Sequence, residues 1–294
     1  NMPRITQLNQ SRIHLNAILG EGPLWHPREA CLYWLDIEAG SLFRYYPQSD
    51  QVNTFSLGKR AGCFAFRQKG GLIIATENGL AYWDENMGLS ANFVDLYPLG
   101  SANMMNDGRV DSAGRFWVGS KGPTRTSSLF RLDPDGKVIT VLEGVTISNG
   151  IDWSPDNRFC YYVDSGAATL LRYHFNLDEG LLYAPEVFYQ PHDAIRSSTP
   201  DGLCVDQAGN IWVAIWDGGC VLQLSPKGEV LQEVRLPVSR PTSLTFGGED
   251  LRDLYITSAS TELSPNALAS QPLAGDLFHM RTQIPGRPPN YYRG

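Results

Sequence analysis

The chain has 294 residues, 42% of them apolar, and carries 24 Lys and Arg against 31 Asp and Glu, a net charge of −7. This acidic balance offers no basic stripe to displace counterions from phosphates, which argues against nucleic acid as a partner, and no 18-residue apolar run is present to span a membrane. With 29 glycines, 19 prolines and only 19% charged residues, against roughly 25% in an average domain, the composition points to an all-β protein, expected to form one domain over residues 1–294.

The opening segment, NMPRITQLNQSRIHL, lacks the apolar stretch of a secretory signal and carries a strand-like pattern. After it one strand type recurs six times: LYWLD from Leu32, LIIAT from Leu72, FWVGS from Phe116, CYYVD from Cys160, IWVAI from Ile211 and LYITS from Leu254. The starts are 40, 44, 44, 51 and 43 residues apart, the period of four short antiparallel strands per propeller blade. Each copy follows a turn rich in Asp, Pro, Asn or Gly, such as Asp111-Ser112-Ala113-Gly114 and Asp206-Gln207-Ala208-Gly209. A further strand follows, as in SLFRYYP from Ser41 and SLFRLDP from Ser128. The expectation is therefore a six-bladed β-propeller. The segment RITQLNQSRIHL is expected to pair with the blade of the C-terminal repeat, hiding two exposed edges.

The five cysteines (Cys31, Cys63, Cys160, Cys204 and Cys220) are odd in number, form no Cys-x-x-Cys pair and mostly lie in apolar runs. They read as small buried hydrophobes in a reducing compartment, which suggests a cytoplasmic location. Cys31, nearest to a turn, is expected to be the least buried.

In a propeller the first strand of each blade lines the central channel, so function becomes a question of register. Four residues before the last apolar residue of each first strand stand Glu21, Gly62, Asn106, Asn149, Asp201 and Thr242. Glu21, Asn106, Asn149 and Asp201 bear oxygens able to hold a cation, and a glycine follows each at one or two residues. Two carboxylates and two carboxamides on one axis repel or stay unsatisfied unless something positive lies between them. That donor set suits one hard divalent ion, Ca²⁺ most naturally, with Mg²⁺, Mn²⁺ or Zn²⁺ possible. There is no Gly-x-Ser-x-Gly elbow, phosphate-binding loop or dinucleotide fingerprint. His192-Asp193 is the one suggestive histidine pair, and a solvated loop is its expected state.

Gly20-Glu21-Gly22-Pro23-Leu24-Trp25, Asn106-Asp107-Gly108-Arg109-Val110-Asp111 with Gly114-Arg115-Phe116-Trp117, Ser148-Asn149-Gly150, Pro200-Asp201-Gly202-Leu203 and FGGEDLRDLYITSAS resemble, as an ordered set, the SMP-30/gluconolactonase/LRE-like family. The chain looks most similar to its bacterial sugar lactonases. The resemblance implies a six-bladed propeller that hydrolyses small sugar lactones with one divalent metal. It further implies Glu21, Asn149 and Asp201 as metal ligands, Asp201 as the catalytic residue, and Asn106 at the substrate. Two positions depart from the family pattern. Met104 stands where an arginine usually holds sugar hydroxyls, and Gly119-Ser120-Lys121 replaces the usual Gly-Thr-Met. Met104 and Lys121 are thus expected at the substrate mouth, with Lys121, alone or with Arg125, supplying the missing cation. The alternative is a non-catalytic propeller whose calcium is structural and whose mouth binds a small molecule or regulatory partner. Hydrolysis of a non-sugar ester or an organophosphate by the same hub is a third possibility.

Overall fold

The computed structural model describes residues 2–192 and 197–294, so Asp193 of the His192-Asp193 pair lies outside the described residues. In chain order, β1 spans Arg4–Gln7, and the first blade is built from β2 (Gly20–His26), β3 (Cys31–Asp36), β4 (Ser41–Tyr46) and β5 (Gln51–Ser56). The second holds β6 (Ala61–Phe66), β7 (Leu72–Thr76), β8 (Gly79–Asp84) and the short β9 (Gly88–Leu89) and β10 (Val94–Asp95). The third holds β11 (Met104–Val110), β12 (Phe116–Lys121), β13 (Ser127–Leu132) and β14 (Val138–Val145). The fourth holds β15 (Ser148–Trp153), β16 (Phe159–Asp164), β17 (Thr169–Asn176) and β18 (Leu181–Tyr189). The fifth holds β19 (Thr199–Val205), β20 (Ile211–Trp216), β21 (Cys220–Leu224) and β22 (Val230–Arg235). The last holds β23 (Pro241–Gly247), β24 (Asp253–Ser258) and β25 (Phe278–Arg281). Six small sheets in a ring, antiparallel except where β1 joins the fifth, make the six-bladed propeller that the repeats predict.

The hairpin chemistry explains why the repeats are so alike. In the third blade Asp111 Oδ1 accepts from the backbone N–H of Ala113 and Arg115, while Oδ2 accepts from the Trp117 indole at 2.8 Å. In the fifth, Asp206 serves Ala208, Asn210 and the Trp212 indole in the same way. One carboxylate thus fixes the turn and satisfies the buried indole of the next strand.

The N-terminal segment closes the ring in a way the sequence showed only in part. Ile13 pairs with Leu277 of the last blade, and His14 meets Asp276 at 2.8 Å, as expected for shared chain ends. Arg4–Gln7, however, adds in parallel to β22 of the fifth blade. The segment therefore staples the fifth blade to the sixth. Removing residues 1–14 is expected to lower the melting temperature by about 5 °C or more, at roughly 2–4 °C per kcal/mol for a chain of this size; an unchanged melting curve refutes the staple.

Cys31 corrects an expectation. It opens β3 rather than the preceding turn, packs in the core with Leu35 and Phe64, and is as fully buried as any cysteine in the chain. All five cysteines are buried and free.

At the end of the channel where the first strands finish, residues 285–294 cross beneath the ring. Gly286 N–H donates to Leu251 O, Arg287 reaches Val205 O and Trp153 O, Asn290 reaches Val110 O, and Tyr292 N–H donates to Phe66 O. Access to the axis is thus directed to the opposite end, where the first strands begin.

Candidate active site at the propeller hub

Every first strand breaks its pairing with the second at or immediately before the register position. The register shifts after Glu21, Ala61, Met105, Ser148, Pro200 and Pro241. These bulges turn the chain toward the axis at the positions the register argument selected, because a bulge re-aims side chains that regular alternation sends elsewhere. The glycines beside them allow the inner strands to crowd together: a Cβ on Gly150 would lie 2.6 Å from Leu203 N, and one on Gly202 would lie 2.2 Å from Ser243 Oγ.

Glu21, Asn106, Asn149 and Asp201 come together as predicted, each only 5–6% exposed, in the wall of a cavity of about 350 Å³. Asn106 spends both amide hydrogens on Ser148 O (2.8 Å) and Asn149 Oδ1 (3.0 Å), which leaves its own carbonyl oxygen for a ligand. Asn149 Nδ2 donates to Ser165 Oγ, which donates to Pro200 O, each at 2.6 Å. This relay fixes the amides and runs into the residue before Asp201. Glu21 Oε2 accepts from the N–H of Gly22 at 2.9 Å, and the Glu21 carboxyl lies within hydrogen-bonding reach of Asp201. Asp201 Oδ1 is buried and accepts no hydrogen bond at all.

Burial pushes the Glu21 carboxyl well above the ordinary range, and the nearby Asp201 and Asp107 push it further. Asp201 is raised too, chiefly by burial and then by Asp107, with a hydrogen bond from Glu21, the charge of Lys121 and the N–H of Gly202 opposing. Two buried carboxyls in contact with each other, one oxygen of Asp201 left unpartnered, beside carboxamide oxygens fit a hard divalent cation, which would supply positive charge to both. Among the described residues no histidine or cysteine lines the cavity.

Asp107 and Trp216 escaped the sequence reading. Asp107, next to Asn106 in the same bulge, lies near enough to act on both Glu21 and Asp201, and burial pushes its carboxyl up to about 6 against the pull of Arg109. Arg109 sits deeper, donating to Ile151 O and Leu203 O. Trp216 ends β20 and lines the hub cavity, with the Arg240 guanidinium 4.7 Å from the centre of its ring. Arg240 is itself held by Asp217 and Thr261 O. The other six tryptophans are buried, as packing between blades predicts; Trp216 is not.

Lys121 is half-buried at the end of β12, paired with Met104 and bridged to Ile147, and it lines the hub cavity. Its side chain makes no hydrogen bond or ion pair with any described residue, and its charge acts on Asp201. Met104 packs with Leu19, Ile37, Ala259 and Trp216 in an apolar collar and lines the neighbouring cleft instead. Arg125 sits in a turn at φ 59°, outside the cavity lining.

A six-bladed propeller with a carboxylate and carboxamide hub open at one end defines the class. Residues 19–260 match the SMP-30/Gluconolactonase/LRE-like region, and the chain belongs to that family. It is 39% identical to the 6-deoxy-6-sulfogluconolactonase of Pseudomonas putida over 273 residues, 92% of this chain and 93% of that one. It is 36% identical to the pentonolactonase XacC of Haloferax volcanii, covering 92% and 93% of the two chains. The crystal structure of a calcium-binding protein, regucalcin, from Agrobacterium tumefaciens superposes over 100% of both chains with a TM-score of 0.93 at 26% identity.

Proposed function

We propose that this protein hydrolyses a small sugar lactone to the aldonic acid at the hub, with a divalent cation held by Glu21, Asn149 and Asp201. The observation that carries the reading is the buried, unpartnered Asp201 oxygen beside Glu21 in a cavity open to solvent. The lactonase names of two relatives support the substrate class, and the calcium-binding title of the regucalcin structure supports calcium. The cation would polarise the lactone carbonyl as a Lewis acid.

The chain's own residues perform the remaining tasks. Asp201 takes a proton from the attacking water as its oxygen bonds to the carbonyl carbon. The ring C–O bond then breaks and Asp201 returns its proton to the leaving alkoxide, giving a hydroxy acid that ionises and an Asp201 carboxylate ready for the next turnover. Asn106, its amide hydrogens committed, accepts from a substrate hydroxyl. Trp216, braced by Arg240, offers an apolar face to the C–H side of the ring. Lys121 faces the negative charge that develops on the ester oxygens. An open cavity with an uncommitted ammonium group and a half-buried indole in its wall favours catalysis over a purely structural ion.

The direct test is acid release from weakly buffered glucono-1,5-lactone. We expect a rate above spontaneous hydrolysis that chelation by EDTA removes; a chelator that shifts only the melting temperature supports the structural-ion reading. Replacing Lys121 by methionine is expected to raise KM on the best lactone at least about fivefold with bound metal unchanged, since a charged hydrogen bond contributes roughly 1.5–3 kcal/mol. An unchanged KM removes Lys121 from the substrate.

A further inference from the structure

We propose that the floor of the propeller, at the end of the channel away from the hub, is a second binding site, for a small oxyanion held between Arg109 of the ring and Arg287 of the segment that crosses beneath it. This cavity shares no residue with the hub cavity, and the proposal does not depend on the lactonase reading. Four inner strands bring Val110, Trp153, Val205 and Phe246 to its wall, residues 287–290 cover it, and its volume is about 280 Å³. That is just below the ~300–1,000 Å³ of pockets that take drug-sized ligands, so the occupant is small.

The wall has more donors than acceptors. Arg109 gives Nε to Ile151 O at 2.9 Å and Nη2 to Leu203 O at 3.2 Å. Arg287 gives Nε to Val205 O at 3.1 Å, and Nη2 to Trp153 O at 2.6 Å and Asp152 Oδ1 at 3.2 Å. These contacts hold both guanidinium groups in place, yet Nη1 of neither donates to any described residue. Two further residues of the wall carry buried polar atoms without a partner: the Ser112 hydroxyl and the indole N–H of Trp153, itself 2% exposed. An indole nitrogen can only donate, and a buried donor without an acceptor is costly. The indoles of Trp117 and Trp212, by contrast, each reach a turn aspartate.

The one carboxylate in the wall is already engaged. Besides Arg287, Asp152 Oδ1 accepts from the N–H of Trp153 and Oδ2 from that of Val205, both at 2.8 Å. Asp107 meets the charge of Arg109 from outside the wall and takes no hydrogen bond from it. What the wall lacks is acceptors. An oxyanion, which only accepts, meets that want; a neutral hydroxyl must also donate, and would have to share Asn157, Asn290 or a carbonyl already in use. Guanidinium forks match the planar or tetrahedral oxygens of carboxylate and phosphate, the chemistry these groups have in common. Phe246, Pro288 and Pro289 leave apolar wall for a short body behind the charge.

The test is calorimetric titration of the full chain, in buffer free of other oxyanions, with inorganic phosphate, with benzoate and with benzamide as the neutral counterpart of benzoate. We expect one phosphate or one benzoate per chain with a Kd of about 1 mM or below, no uptake of benzamide, and a melting temperature that rises with the bound anion. Which of the two anions binds more tightly separates a phosphate ligand from a carboxylate one. Arg287→Gln should weaken that binding at least about tenfold, the scale of losing a charged hydrogen bond. Ser112→Ala, which leaves the contacts of Arg287 in place, should weaken it about threefold with the melting temperature of the free protein unchanged. An anion seated instead on a cation at the hub is recognised by Asp201→Asn, which should leave floor binding unaltered. Failure of both anions to bind at 10-fold above that Kd, or equal uptake of benzamide, overturns the proposal. So does binding that survives both Arg287→Gln and Ser112→Ala or that is lost in Asp201→Asn.

Discussion

Asp201→Asn is expected to depress lactone turnover by about 10²-fold or more even at saturating calcium, the scale of losing a positioned general base. The substitution keeps size and one ligand oxygen but removes both negative charge and basicity. Glu21→Gln removes charge alone, so its metal affinity should fall while added calcium restores most of the activity. The structure sharpens this contrast. Each carboxyl takes a backbone hydrogen bond from the glycine that follows it, Gly22 or Gly202, but Asp201 Oδ1 has no protein partner and is free to act on water or cation. Kinetics of both variants across a calcium titration decide the matter. Equal rescue would make Asp201 a ligand only, and unaltered metal content and activity in both would remove these residues from the site.

Gly62→Ala is expected to destabilise the fold by about 3 kcal/mol and to impair the site from a blade that contributes no ligand. Overpacked positions typically cost 1–3 kcal/mol, and this one has no soft neighbour. A Cβ on Gly62 would lie 2.5 Å from Asn106 O, 2.6 Å from Asn106 Cα and 2.6 Å from Met105 O. All three are backbone atoms of the adjoining inner strand, so relief requires moving the strand that carries Asn106. Thermal denaturation should show a fall of several degrees, and the surviving folded protein should show raised KM. A variant with wild-type melting and KM would mean that the hub tolerates a wider ring.

Much of this arrangement is legible in the sequence because a propeller repeats one physical problem six times. Each inner strand must end in an apolar residue at the floor and begin at the axis, so counting back from Trp25, Val110, Trp153 and Val205 finds Glu21, Asn106, Asn149 and Asp201. Gly62 and Thr242 occupy the same register without donating to the cavity. Thr242 instead spends its hydroxyl on Gly20 O and Thr257, joining the last blade to the first.

Asp107 was missed for a definite reason. Regular alternation sends neighbours to opposite faces, so Asn106 and Asp107 cannot both face the axis until a bulge intervenes, and a bulge has no reliable sequence mark. Trp216 was missed because it ends an apolar run, IWVAIW, whose other tryptophan is packed between blades. Its exposure follows from where β20 stops, at the turn opened by Asp217 with φ 61°. The parallel addition of Arg4–Gln7 to the fifth blade was equally hidden. Four half-polar residues specify a strand but not its partner. Cys31 looked turn-like by position, yet the preceding turn closes at Ala30, φ 52°, one residue earlier.

The central claim is that Glu21, Asn149 and Asp201 hold one divalent cation on which lactone hydrolysis depends. The most direct test is a calcium titration of protein stripped with EDTA, with acid release from glucono-1,5-lactone and bound calcium followed in the same samples. The account predicts no rate above the spontaneous one without calcium, then activity rising in step with occupancy to a plateau at one ion per chain. Full activity in the stripped protein, or one bound calcium with no hydrolysis of any lactone, would contradict it.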